Sequence, residues 1–170
     1  KAPVYSKRGL KLITSSMRRS PPDCLDPKIH HANLLPSILA KIQANAAGAD
    51  DAIMLDLRGF IAETNATHLF IVDGNRLLTP TLAACPEGIT RRTVLDICRL
   101  QSIDCEVRDL SLTELYGADE VFCTGTMGEL AGVTWVDGRT IGDGAIGPMT
   151  RRLSDRYAER TAADGTRVVD

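Results

Sequence analysis

The chain has 170 residues, 44% hydrophobic and 25% charged, an ordinary globular composition with enough length for one domain and a real core. Its formal net charge is -2 and Lys and Arg form no block, which argues against a nucleic-acid or membrane surface as the main partner. No apolar run approaches membrane length, and no signal peptide is expected. The five cysteines (Cys24, Cys85, Cys98, Cys105 and Cys123) are scattered and odd in number, so they are expected free and buried in a reducing, cytoplasmic compartment.

The sequence begins at Lys1, and Val4-Tyr5 read like strand material joined in mid-fold, so the chain is expected to be part of a longer polypeptide. Alternation over Gly9 to Ser16 predicts a half-buried strand. Arg18 to Pro27, with Pro21-Pro22 and Asp26-Pro27, is expected to be a surface loop or linker. Leu34, Leu35, Ile38, Leu39, Ile42 and Ala46 then repeat at helical spacing. Asn33 suits the N-cap of that helix, Pro36 its first turn and Gly48 its end, while Lys41 falls opposite the apolar stripe and should face solvent.

Strands are expected at Ala52 to Asp56, Phe60 to Glu63 and Leu69 to Val72, with Asp73-Gly74 turning the last into Arg76 to Thr79. Cys85-Pro86-Glu87-Gly88-Ile89-Thr90-Arg91-Arg92-Thr93 reads as a tight turn entering a helix that carries Val94, Ile97 and Cys98 on one face. A further strand at Ile103 to Val107 precedes a short helix, Leu112 to Tyr116, with Ser111 and Glu114 at capping-box positions. Strand Glu120 to Thr124, a hairpin turned by Asp137-Gly138 and a last helix opened by Pro148 complete the chain. Hairpins outnumber strand–helix–strand units, so the expected class is α+β.

The chemistry-bearing residues are few. The free amides at the start of the Ile89–Thr90 helix make a cup for a phosphate or other anion, although an ordinary helix start with a preceding glycine accounts for the same residues. Thr124-Gly125-Thr126-Met127-Gly128 and Glu63-Thr64-Asn65-Ala66-Thr67 end strands with small polar residues that can also meet an anion. Glu63, at the end of an apolar strand, needs a cationic partner if buried. All the lysines (Lys1, Lys7, Lys11, Lys28 and Lys41) precede the midpoint, so covalent amine chemistry has only five candidates. His30-His31 lacks helical metal-ligand spacing and a third ligand, and no metal site is expected.

The order Asn33-Leu34-Leu35, Leu39-Ala40-Lys41-Ile42, Gly48-Ala49-Asp50-Asp51-Ala52, Glu63-Thr64, Leu69-Phe70-Ile71-Val72, Gly88-Ile89-Thr90-Arg91, Ala118 to Phe122 and Gly125-Thr126 resembles the class IV aminotransferases. These are the fold-type IV pyridoxal-phosphate enzymes, and the likeness, from about Leu10 to Tyr157, is nearest to the branched-chain type. The resemblance implies a C-terminal lobe over 28–170, with 1–27 as the end of a preceding lobe and linker and the N-terminal lobe absent. It implies transfer of an amino group between an amino acid and a 2-oxo acid, with pyridoxal 5'-phosphate as cofactor and a homodimer as assembly. Glu63 matches the glutamate that pairs with the pyridine nitrogen, with Arg91 behind it. The amides of Ile89 and Thr90 and the hydroxyl of Thr126 match the phosphate contacts, and Met127 offers an amide to the substrate carboxylate. The sequence departs from the pattern at the lysine that carries the cofactor covalently. That lysine precedes the asparagine matching Asn33 by three or four residues, where this chain has His30 and Ile29, and Lys28 lies five before. Lys28 and His30 therefore stand as the candidate catalytic residues. A homologue that binds the cofactor, or performs a lyase reaction, without transamination is the alternative.

Overall fold

In the computed structural model, residues 8–29 and 31–164 are described. The expected strand at Val4-Tyr5 and the candidate His30 lie outside them. The alternating segment forms β1 (Leu10–Arg18), with Leu10 and Leu12 fully buried. The proline-rich stretch after it is more regular than expected. Pro22 starts a one-turn helix, α1 (Pro22–Leu25), and Pro27–Ile29 make a 3-10 turn, because proline's fixed φ and missing N–H suit a first helical turn.

The next helix, α2 (Leu35–Ala46), is rotated relative to the sequence expectation. Its buried residues are Ser37, Ala40 and Ala44, of which the two alanines pack with Ala49, Ala52 and Met54, while Leu34, Leu35, Ile38, Leu39 and Ile42 are exposed. Small side chains at this spacing let the helix axis approach the sheet closely, a face that a search for large apolar residues overlooks. Lys41 keeps much of its side chain exposed, as expected, but its amine is paired back onto the start of β2. Its Nζ donates to the Asp50 carbonyl and lies 3.2 Å from the carboxylate of buried Asp51. Asn33 does not cap α2, whose N-cap is Leu34, without a side-chain hydrogen bond. Gly48, at φ 68°, ends it as expected.

The remaining strands are β2 (Asp51–Leu55), β3 (Ile61–Thr64), β4 (His68–Asp73), β5 (Arg76–Thr79), β6 (Cys105–Val107), β7 (Glu120–Gly125), β8 (Glu129–Val136) and β9 (Arg139–Thr140). The helices α3 (Ile89–Leu100), α4 (Leu112–Tyr116) and α5 (Pro148–Ala163) complete the fold. One nine-stranded mixed sheet has the order β3-β2-β1-β8-β7-β4-β5-β6, with β9 beside β8. The expected hairpins β4–β5 and β8–β9 are present, β7 and β8 form a further antiparallel pair, and β1–β2, β1–β8 and β5–β6 run parallel. The class is α+β. β1, which the sequence reading sets ahead of a boundary at residue 27, lies in the centre of this sheet between β2 and β8.

Connection length dictates the curl of the sheet. β3 and β4 sit five places apart in the strand order, roughly 24 Å if the sheet were flat. Yet only Asn65 to Thr67 join them, a reach of roughly 10 Å. The sheet must therefore bend round until β3 faces β4. Thr64 and Thr67 close that junction: Thr67 N–H donates to Thr64 Oγ1 at 2.9 Å, and Thr64 N–H donates to the Thr67 carbonyl at 2.7 Å.

Two cores flank the sheet. One gathers Leu12, Ile53, Leu69, Ile71, Val121 and Val133 with Leu115 of α4. In the other, Phe70 and Phe122 stack in register with ring centroids 5.0 Å apart, covered by Val94 and Ile97 of α3 and Leu153 and Tyr157 of α5. The ends of two helices are closed by side chains. Ser111 and Glu114 form the expected capping box of α4. Glu120, from β7, accepts from the Met149 and Thr150 amides and the Thr150 hydroxyl at the start of α5. The α5 N-cap is glycine because a Cβ on Gly147 would stand 2.0 Å from that carboxyl carbon.

Candidate active site

The curl of the sheet brings the ends of β3, β4 and β7 beside the start of α3, and a cavity of about 280 Å³ opens between them. Glu63, His68, Thr124, Thr126, Gly88 and the first residues of α3 line it. A second cavity of about 430 Å³ shares Glu63, Ala66 and Pro86 with the first and runs past Arg19, Asn33, Leu34 and Ile38 to Lys41.

At one end of the smaller cavity is the anion cup. Gly88 is the N-cap of α3 at φ 71°, and no side chain caps the helix. The amides of Ile89 and Thr90 thus keep their donors, with the positive end of the helix dipole behind them. Arg91 is buried beneath, its Nη2 donating to the Pro80 carbonyl at 2.9 Å and its Nε to Thr79 Oγ1 at 3.3 Å. Burial lowers its pKa, yet from so high a starting value that the guanidinium stays charged. Thr126 stands across the cup in the turn after β7.

At the other end is Glu63, only 3% exposed. Its partner is Arg19 rather than the expected Arg91, with Arg19 Nη2 2.6 Å from Glu63 Oε1. Arg19 is itself held by the Ser37 hydroxyl at 3.1 Å and the Thr64 carbonyl at 3.3 Å. Burial outweighs that positive neighbour and pushes the Glu63 carboxyl up to about 7. Despite the ion pair, Glu63 Oε1 makes no hydrogen bond, nor do the buried atoms Arg19 Nε and Thr124 Oγ1. A carboxylate has more lone pairs than one ion pair occupies, and Glu63 lines the cavity, so it can also accept from an N–H that enters there.

The expected site residues divide into those gathered here and those left apart. Glu63, Ile89, Thr90 and Thr126 line one cavity. Met127 follows Thr126 in the same turn, with its side chain 66% exposed. Lys28 lies on the 3-10 turn, exposed, with Nζ 3.7 Å from Asp26 Oδ1, and lines neither cavity. The loop after Glu63 is no anion site, because Thr64 and Thr67 bond to each other and Asn65 Oδ1 accepts from the Ala52 amide. Cys85 is buried and its thiol is pushed up to about 12 by burial, so it stays protonated. Of the cysteines, Cys24 is exposed, contrary to expectation, and all five are free. Among the described residues, no group of three His, Cys, Asp or Glu gathers as a metal site requires, and no helix is long and apolar enough to cross a membrane.

The model of the family described as amino-transferase class IV matches residues 1–136. The chain belongs to the class IV aminotransferases. Over 169 residues it is 50% identical to branched-chain-amino-acid aminotransferase-like protein 2 of Arabidopsis thaliana, covering 99% of this chain and 30% of that protein. It is 38% identical to a putative branched-chain-amino-acid aminotransferase of Methanocaldococcus jannaschii, over 99% of this chain and 59% of that one. The branched-chain amino acid aminotransferase of Thermobaculum terrenum, solved in its PLP-form, superposes with a TM-score of 0.87 at 35% identity, covering 91% of this chain and 52% of that one. The chain thus spans between 30% and 59% of the length of these relatives.

Two residues of this cavity region, Arg19 and His68, escape a reading of the sequence, whereas Thr124 belongs to a loop it singles out. Arg19 follows Arg18 at a strand end and looks like a solvated charge; only the pairing of β1 and β3 with β2 brings it to Glu63. His68 and Thr124 face each other across the β4–β7 pair. Alternation along β4 is the available signal, since it sets His68 on the same face as Phe70.

Proposed function

We propose that this chain supplies the cofactor-binding part of a pyridoxal 5'-phosphate-dependent aminotransferase of the branched-chain type, moving an amino group between an amino acid and a 2-oxo acid. The observation that carries this reading is the buried carboxylate of Glu63, ion-paired to Arg19 and set in one cavity with the uncapped start of α3. The cofactor presents a ring N–H at one end and a phosphate at the other, and these two ends of the cavity fit them in charge and hydrogen-bonding sense. Once bound, it supplies an electron sink for carbanion chemistry at the substrate's α-carbon.

The residues divide the work accordingly. Glu63, held by Arg19, accepts the ring N–H and keeps that nitrogen protonated. The amides of Ile89 and Thr90 and the Thr126 hydroxyl take the phosphate. Leu34, Ile38, Pro27 and Pro86 give the larger cavity an apolar wall suited to an aliphatic side chain, and the amide of Met127, next in sequence to Thr126, is the proposed contact for the substrate carboxylate. A homodimer is the proposed assembly, supported by the exposed Leu35, Ile38, Leu39 and Ile42 of α2. The free cysteines favour a reducing cytoplasmic location.

The placement of Lys28 favours a second reading, in which the same cofactor binds without a covalent link. Its amine pairs with Asp26 outside both cavities, and Lys41, which lines the larger one, is held by Asp51. The two readings separate on one experiment. Full-length protein is loaded with pyridoxal 5'-phosphate, treated with borohydride and mapped by peptide mass. A reduced adduct on Lys28 supports the aminotransferase, whereas cofactor that dialyses away with every lysine unmodified supports the second reading.

A further inference from the structure

His68 is buried at the start of β4, between the two ends of the cavity. Its Nε2 lies 2.7 Å from the Pro86 carbonyl. A carbonyl only accepts, so the ring carries its proton on Nε2 and donates it there. Its Cε1 and Nδ1 atoms meet the backbone of Gly88: a Cβ at that position would stand 2.4 Å from His68 Cε1 and 2.6 Å from Nδ1. Nε2 is also 4.0 Å from Glu63 Oε2. One ring therefore touches the residue before the cup, the residue that caps its helix and the neighbourhood of the carboxylate at the far end. Burial lowers the pKa of His68, which keeps the imidazole neutral and its single N–H committed to Pro86.

A rigid ligand with a phosphate at one end and a ring N–H at the other needs those two ends held at a fixed separation. The Pro86–Gly88 turn has no regular secondary structure of its own, and Gly88 adds backbone freedom where the amides must be aimed. We propose that His68 is the positioning residue of the anion cup, fixing the Pro86–Gly88 turn by one hydrogen bond and one ring contact so that the first amides of α3 open into the cavity. This rests on the reading of that cup as a phosphate site.

The test compares pyridoxamine 5'-phosphate with pyridoxamine, ligands that need no lysine, by fluorescence titration of the full-length protein and its variants. His68→Phe keeps a ring against Gly88 and loses the donor. Its preference for the phosphorylated ligand should fall about five- to tenfold, the effect of one hydrogen bond, with pyridoxamine affinity nearly unchanged. His68→Gln, whose amide can reach the Pro86 carbonyl, should retain most of the preference. An unchanged preference in His68→Phe overturns the proposal, as does equal loss of both ligands, which marks a residue that only supports the fold. A wild-type protein that does not prefer the phosphorylated ligand instead overturns the phosphate reading itself. A measurement without variants runs beside these: 15N shifts of the His68 ring should report the Nε2–H form and move when inorganic phosphate is added. Shifts that ignore phosphate count against the proposal.

Discussion

Arg19 and Glu63 meet at 2.6 Å inside the curled sheet, the arginine delivered by the end of β1 and the glutamate by β3. Removing one charge of such a pair leaves the other buried and unpaired, at a greater cost than the pair's own net contribution. Arg19→Met should therefore cost about 3 kcal/mol at pH 8, and about 1 kcal/mol at pH 5, where Glu63 takes up a proton. Urea denaturation at the two pH values checks this. An equal loss at both would mean that Arg19 acts through Ser37 and Thr64 alone.

Glu63 itself gives the cofactor-free protein a pH signature. Its carboxyl is raised from the ordinary 4.5 to about 7, so between those values the folded state holds a proton that the unfolded state has released. Stability from this group is greatest below about pH 4.5, falls as pH rises toward 7 and then levels, a total of roughly 3 kcal/mol. Glu63→Gln should flatten that part of the stability profile. If the slope survives the substitution, another group is responsible.

Gly88→Ala tests the cup mechanically. The added methyl meets the His68 ring at 2.4 Å, and φ of 71° is strained for any side chain. A loss of about 2–3 kcal/mol in thermal or urea unfolding is expected, with weaker binding of pyridoxamine 5'-phosphate. Tight binding retained in this variant would show that the turn is softer than its geometry implies.

How much of this is legible in the sequence depends on the range of the interaction concerned. The hairpin at Asp73-Gly74, the capping box at Ser111 and Glu114 and the helix opened by Pro148 are written in neighbouring residues, and each forms where expected. Glu63, Ile89, Thr90 and Thr126 are identified by resemblance, and the fold places them around one cavity. The buried face of α2 is misread because Ser37, Ala40 and Ala44 are small, and size governs what a hydrophobic stripe looks like. Arg19 is invisible because its partner is 44 positions away in sequence, and the two meet only through the pairing of β1 and β3 on either side of β2.

Glu120 supplies a prediction remote from the site. Its carboxylate receives three hydrogen bonds, at 2.9, 2.8 and 2.7 Å, from the start of α5. Glu120→Ala should lower stability by about 2 kcal/mol and fray α5, read as a lower melting temperature with loss of helical circular dichroism. The binding preference between phosphorylated and unphosphorylated ligand should stay unchanged, because the cap contacts no lining residue of the smaller cavity. Coupled loss of both would show that α5 supports the site through Tyr157 and Thr90.

The place of β1 in the sheet also constrains the order of events on the ribosome. β1 pairs on one side with β2 and on the other with β8, where Leu10 faces Val133 and Leu12 faces Val136. Its second neighbour, β8, starts 111 positions after β1 ends (129 − 18) and so emerges from the exit tunnel much later. Until then the β1 edge that will receive β8 stays open, and the bend that carries Glu63 toward α3 lacks its closing strand. A nascent chain arrested before β8 should therefore expose β1 to chaperones or to other nascent chains, while ligand capture awaits the arrival of β8.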